Sequence, residues 1–289
     1  MGVLAVAGDL VEDVVVHVQE PVRPGSDAAA QITRRRGGSA ANVAAFAAQA
    51  GCAVRFIGCV GDDLVGEALT TELSEAGVDV CVQERGRTGC IVVVVDESGE
   101  RTMLPDRAAA AELTHVDTEW LDGVDLLHLP LYGFDSGSTP QALWRAAAAV
   151  REAGGRVCVD ISSVRMVDVH GWEGVLRMID ALEPTWISAN ADEVSALGLD
   201  DPAFLARRPQ LVVLARGGAQ PTRILIGGTE PIVVPVPPVP GVVDTTGAGD
   251  AFAAGFLTAI YRGEGLEDAV ASAHALAARS LRAPGAALA

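Results

Sequence analysis

The chain has 289 residues, 49% of them hydrophobic and only 4% aromatic, with a formal net charge of −17. A field of that sign repels nucleic acid and anionic membrane surfaces, and every long apolar stretch is broken by Gly, Asp or Arg, so none reads as a membrane span. All 21 basic residues are arginine, which excludes a P-loop site and Schiff-base chemistry, since both need lysine.

The opening MGVLAVAGDLVED lacks a basic n-region and meets acid at Asp9, so it reads as a buried strand over residues 3–7 and not as a secretory signal. A second strand follows over 14–18. Residues 19–36 are polar and end in Arg34-Arg35-Arg36. Gly37-Gly38-Ser39 opens a helix over 40–50, closed by Gly51, and 54–60 is a strand. A further helix ends near Gly77, in the place of a C-cap glycine. Residues 90–95 and 101–104 flank Asp96-Glu97-Ser98-Gly99 and predict a hairpin with a four-residue loop. The strand at 126–131 precedes a helix started by Thr139 as N-cap and Pro140 as first helical residue, ending at Gly154-Gly155. Strands follow at 157–161, 185–189 and 211–214, and 224–226 pairs antiparallel with 232–236. Apolar helices at 248–261 and 266–281 close the chain.

This alternation predicts an α/β protein, a mostly parallel sheet with helices on both faces, without an internal domain boundary. The segments near 11–36 and 84–106 do not fit that sheet and read as a small separate β layer. Cys52, Cys59, Cys81, Cys90 and Cys158 form no CxxC pair; they read as free, mostly buried thiols in a reducing cytoplasm.

In an open α/β sheet, ligands bind beyond the carboxyl ends of the strands. Four groups of residues stand there. Asp244-Thr-Thr-Gly-Ala-Gly-Asp250 runs into a helix. Gly247, Ala248 and Gly249 let an anion approach unpartnered N–H groups at that N-terminus, and Asp250 is placed to take a proton from an attacking hydroxyl. The alternative is a glycine-rich turn with Asp250 as a stabilising first-turn acid. Gly37-Gly38-Ser39-Ala40-Ala41-Asn42 opens another helix, with an amide at Asn42 able to hold a hydroxyl. Asn190 and Glu193, three apart after a strand, suit either water-mediated Mg²⁺ or a plain capping box. Asp13 is a candidate ligand for sugar hydroxyls, or a solvated loop acid.

In this order, GGSAANVAAFAAQAG, NADE, DTTGAGDAFAAG and the closing Arg282-Ala-Pro-Gly-Ala286 resemble the signatures of the ribokinase (PfkB) family of carbohydrate kinases. The resemblance implies a ribokinase-like three-layer α/β/α sandwich over residues 1–289, with a β-sheet lid from about 11–36 and 84–106. It implies ATP-dependent phosphorylation of a hydroxymethyl group, with Mg²⁺. Asp250 matches the catalytic base and Gly247, Ala248 and Gly249 the anion hole. Asp13, Gly38, Ser39 and Asn42 match substrate positions. Asn190 and Glu193 match the Mg²⁺–ATP positions, and Arg216 and Gly217 the nucleotide side. K⁺ is implied near Asp244 and Gly285. The implied partner is a small sugar or nucleoside, and a homodimer through the lid is plausible.

The chain departs from ribokinases proper. Val11 stands for their Asn, Ser39 for their Lys, Pro130 and Leu131 for their strand-end Glu, and Gln220 for the second glycine of Gly-x-x-Gly. Fewer polar contacts suit an acceptor with an apolar part, so a nucleoside kinase is the nearest alternative. A non-catalytic binding protein on the same fold is a further one. A Rossmann dehydrogenase is disfavoured, because no GxGxxG follows the first strand.

Overall fold

A computed structural model describes residues 2–288. The first strand, β1 (Val3–Gly8), lies inside a nine-stranded sheet. On one side it pairs in parallel with β4 (Val54–Val60), which pairs in turn with β5 (Asp79–Glu84). On the other side come β8 (Val124–Pro130), β9 (Arg156–Asp160), β10 (Trp186–Asn190) and β11 (Val212–Gly217), also parallel. An antiparallel pair, β12 (Gln220–Ile226) and β13 (Ile232–Val234), ends that edge. The chain thus builds outward from β1 in one direction and then resumes at β8 in the other. That reversal opens a crevice at the carboxyl ends of the strands.

Side chains alternate between two cores, as the pleat requires. Leu4 and Val6 of β1, Phe56 of β4 and Leu214 of β11 face one core. It is filled by α1 (Ser39–Gln49), α2 (Leu64–Glu75), α8 (Ala248–Tyr261) and α9 (Leu266–Ser280). Ala5, Ala7, Ile57 and Val213 face the other, covered by α3 (Thr139–Glu152), α5 (Trp172–Leu182), α6 (Ala191–Leu197) and α7 (Pro202–Ala206). α4 (Arg165–His170) leads into α5. The result is the expected α/β/α sandwich. Small residues set the spacing of the first core: a Cβ at Gly255 would stand 2.8 Å from Ala273 Cα, so α8 and α9 touch almost backbone to backbone.

A second, four-stranded sheet has the order β3-β2-β6-β7, from β3 (Ala30–Gly37), β2 (Val11–Val18), β6 (Cys90–Val95) and β7 (Arg101–Asp106). β3 lies in the segment 11–36 read as part of the small β layer, but it does not stand out as a strand, because its sequence AQITRRRG has no apolar alternation. Pairing with β2 makes it a strand: Glu12 lies opposite Arg36 and Asp13 opposite Arg35, and Arg34 bonds Glu12 at 3.1 Å. β5 was also missed; it belongs to the main sheet.

Two local expectations need correction. The N-cap of α3 is Ser138, without a side-chain bond. Thr139 instead donates to Ala110 O and accepts from Leu113 N, both at 3.0 Å, tying the helix to the segment before β8, 26–29 residues earlier in the chain. The hairpin loop after β6 is five residues long, closed by Asp96 N donating to Glu100 O. All five cysteines are free, and Cys52, Cys59 and Cys158 are buried. Among the described residues no helix is long and apolar enough to cross a membrane.

Candidate active site

The strand ends and the small sheet enclose a cleft of about 830 Å³. Ten of the fourteen residues singled out in the sequence line it: Asp13, Gly38, Ser39, Asn42, Asn190, Glu193, Arg216, Gly247, Gly249 and Asp250. Ala248, Gly217, Asp244 and Gly285 do not.

Asp250 lies in the first turn of α8, half-buried, and is held from α1. Ser39 Oγ donates to its Oδ1 at 2.7 Å and Asn42 Nδ2 donates to its Oδ2 at 2.9 Å. The Asn42 amide cannot turn over freely, because its Oδ1 accepts from Arg36 Nη1 at 2.9 Å. So the serine that replaces lysine, and the asparagine expected to hold a hydroxyl, both face Asp250. Burial pushes Asp250 up to about 7; the Ser39 and Asn42 hydrogen bonds oppose this, and the charges of Asp160 and Asp9 add to it. That is the range in which a carboxylate works as a base near neutrality.

Beside it, the α8 N-terminus offers backbone donors. Ala248 N donates to Thr245 O at 3.3 Å. Among the described residues no carbonyl accepts from the N–H of Gly247, Gly249 or Asp250. Two of the three expected anion-hole positions, Gly247 and Gly249, therefore have free donors on the cleft, and Ala248 does not. The Gly37-Gly38 turn sets α1 beneath Asp250. Gly38 has φ +97, and a Cβ there would lie 2.4 Å from Asp9 O, so no other residue fits without displacing backbone.

Asp9 was passed over in the sequence. It follows β1, is 3% exposed, and accepts from Ala40 N at 3.3 Å and from Arg107 Nη1 at 3.0 Å. Arg107 in turn lies 4.7 Å from the Tyr132 ring centre and 3.5 Å from Asp135. Asp13, on β2, is pushed up to about 6 by burial, with Arg35 opposing and Asp9 adding. Ile91, Met103 and Pro105 of the small sheet give the same end of the cleft an apolar wall.

At the other end stand Asp160, Glu193 and Arg216, where β9, β10 and β11 finish. Arg216 Nη2 lies 3.1 Å from Asp160 and 3.8 Å from Glu193. Asn190 and Glu193 form a complete capping box: Asn190 Oδ1 accepts from Glu193 N at 2.9 Å, and Glu193 Oε2 accepts from Asn190 N at 2.8 Å. Burial, with the nearby Asp160 charge, raises Glu193 well above the ordinary carboxylate range. The capping box still leaves lone pairs on these oxygens, and Glu193 lines the cleft. Gly217 is the last residue of β11 and pairs across the turn with Gln220, the first residue of β12. His128, fully buried below this end, is held down at about 4 by its burial and stays neutral.

Asp244 gathers three segments. Its Oδ1 accepts from Thr246 N at 2.9 Å, Thr246 Oγ1 at 2.8 Å and Arg101 Nη2 at 2.6 Å, and its Oδ2 from Gly285 N at 2.9 Å. These bonds hold it far below the usual carboxylate range despite part burial.

The model of the pfkB family carbohydrate kinases matches residues 1–289. A fructokinase from Klebsiella pneumoniae is 30% identical, over 90% of this chain and 84% of that protein. An adenosine kinase from Saccharomyces cerevisiae is also 30% identical, over 86% and 78% of the two chains. The crystal structure of adenosine kinase from Sinorhizobium meliloti superposes with a TM-score of 0.84 at 23% identity, covering 99% of this chain and 95% of that one. The chain belongs to the pfkB family of carbohydrate kinases. It is an ATP-dependent phosphotransferase acting on a sugar or nucleoside hydroxyl group.

Proposed function

We propose that the chain transfers the γ-phosphoryl group of ATP to a hydroxymethyl group of a sugar, with Asp250 as general base. The observation that carries this reading is Asp250 itself. It is a carboxylate poised near neutrality, fixed by Ser39 and Asn42, beside the free N–H groups of Gly247 and Gly249.

The acceptor end is the one with Asp13, Asp9 and the small sheet. Asp13 takes hydrogen bonds from ring hydroxyls and orients the hydroxymethyl group towards Asp250. The small sheet acts as a lid, because β2, β6 and β7 all send side chains into the cleft. Closing it excludes water, which would otherwise compete as acceptor. Asp250 takes the hydroxyl proton as the oxygen attacks, and the N–H groups of Gly247, Gly249 and Asp250 receive the charge of the transferring group. Ser39 and Asn42 serve as positioning residues for the base.

The nucleotide end is the one with Asn190, Glu193, Asp160 and Arg216. Among the described residues no three His, Cys, Asp or Glu side chains converge into a metal cage of their own. That fits Mg²⁺, which is commonly held by one or two carboxylates together with waters and substrate phosphates. Glu193 and Asp160 would hold it, through water, and it would neutralise charge on the phosphates.

A nucleoside as acceptor is the second reading. The apolar wall of Ile91, Met103 and Pro105, with Tyr132 nearby, favours it over a free sugar alone. The expected pairing of two chains through the lid would cover Ile32 and Leu104, both exposed on that sheet.

ADP release from Mg²⁺–ATP across pentoses, hexoses, sugar phosphates and nucleosides tests the reading. A response confined to one acceptor class is expected, because a pocket built for hydroxyls rejects wrong ones by large factors. Equal background hydrolysis with every compound would count against a kinase.

A further inference from the structure

The four contacts of Asp244 crowd the place of the K⁺ that the sequence resemblance implies, saturating Oδ1 and leaving one lone pair on Oδ2. Its Oδ1 already receives three donors and its Oδ2 a fourth. One of them is a guanidinium, and a guanidinium repels a neighbouring cation. Arg101 makes this contact from β7, the edge strand of the small sheet, 143 residues from Asp244 in sequence. Its other arm donates to Thr246 Oγ1, which donates to the same carboxylate oxygen. The pair is a two-armed, charge-assisted contact, and Arg101 also lines the cleft.

We propose that Arg101 is the tethered cation of this enzyme. Its guanidinium supplies, from the small sheet, the positive charge that fixes Asp244 and the 244–249 loop, so that turnover does not depend on a monovalent metal ion. Two consequences follow from its position. The charge that orders the anion-binding N–H groups arrives only when the small sheet lies over the cleft. Closure over the acceptor and completion of the loop are therefore one event. Arg101 is a positioning residue, and the idea rests on reading the α8 N-terminus as the transfer site.

The test compares salts. Wild-type kinase activity in KCl, NaCl and tetramethylammonium chloride, at one ionic strength, is expected to agree within about twofold. Arg101→Met is expected to lose about tenfold or more in kcat and to regain part of it in KCl but not in tetramethylammonium chloride. Crystals of the whole chain soaked in Tl⁺, a K⁺ stand-in with a strong anomalous signal, provide a readout independent of turnover. No peak is expected at Asp244 in the wild type, and one is expected in Arg101→Met. Strong activation of the wild type by K⁺, or a Tl⁺ peak at its Asp244, would overturn the proposal. So would an Arg101→Met enzyme equally active in all three salts. Should Arg101→Met not fold, Arg101→Lys takes its place: it keeps the charge, so it should remain K⁺-independent, and acquired K⁺ dependence would count against the idea. A wild-type crystal without Tl⁺ at Asp244, from a protein with no kinase activity, would sink the transfer-site reading while leaving the Asp244–Arg101 contact intact.

Discussion

Asp250→Asn is expected to lower kcat by about 10²–10⁴-fold, the range for loss of a positioned general base, while the acceptor still binds. The substitution suits the site. The new amide can turn its oxygen to Asn42 Nδ2 and its nitrogen to Ser39 Oγ, so the loop keeps both hydrogen bonds. Calorimetric binding of the acceptor beside steady-state rates separates the two effects. Retained turnover would remove Asp250 from the chemistry. The same carboxylate sets a pH dependence. It is pushed up to about 7 in the fold, well above the usual carboxylate range. The wild-type kcat/KM should therefore fall as pH drops below about 7, with this limb absent from the residual activity of Asp250→Asn. Stability runs the opposite way. The folded state binds the Asp250 proton more tightly than the unfolded chain does, so this group's favourable contribution is complete at low pH and is lost as pH rises through 7. Asp250→Asn should therefore unfold at a higher temperature than the wild type at pH 8, and the gap should shrink at pH 5.

The largest loss of stability is expected at Asp9. Removing its carboxylate in Asp9→Ala leaves Arg107 facing a buried gap, with only the more distant Asp135, and leaves Ala40 N without its acceptor. Breaking a buried pair from one side costs about 3–5 kcal/mol. For a chain of this size that is a fall of roughly 6–10 °C in Tm. The double variant Asp9→Ala/Arg107→Leu should recover part of it, because the stranded charge is gone. If Asp9→Ala alone melted like the wild type, the pair would have no structural role. If the double variant were worse than the sum of the singles, the cost would lie in packing and not in the unpaired charge.

These two residues mark what the sequence made legible. Asp250 was readable because its neighbours are local: the glycines, the helix start and the acid lie within seven residues. The strands of the main sheet were readable because both faces are buried, which leaves short apolar runs. Asp9 looked like any acid after a strand, since its partner Arg107 is 98 residues away. Asp160, Arg101 and Tyr132 were missed for the same reason, with no local pattern to mark them. β3 escaped because charge pairing with β2, and not apolar alternation, makes it a strand. At Asn190 and Glu193 the sequence allowed a cap or a ligand pair; the cap is formed, on the wall of the cleft. Thr139 misled because a Thr-Pro pair is a good helix start, yet its hydroxyl is taken by Ala110 and Leu113, 29 and 26 residues earlier in the chain.

The most direct test is a proton-coupled ³¹P spectrum of the product formed from Mg²⁺–ATP and the accepted substrate. Transfer to a hydroxymethyl group beside Asp250 predicts a phosphomonoester resonance split as a triplet by two equivalent-type CH₂ protons. A doublet would place the phosphoryl group on a ring or anomeric hydroxyl, and inorganic phosphate alone would mean hydrolysis; either result contradicts the account.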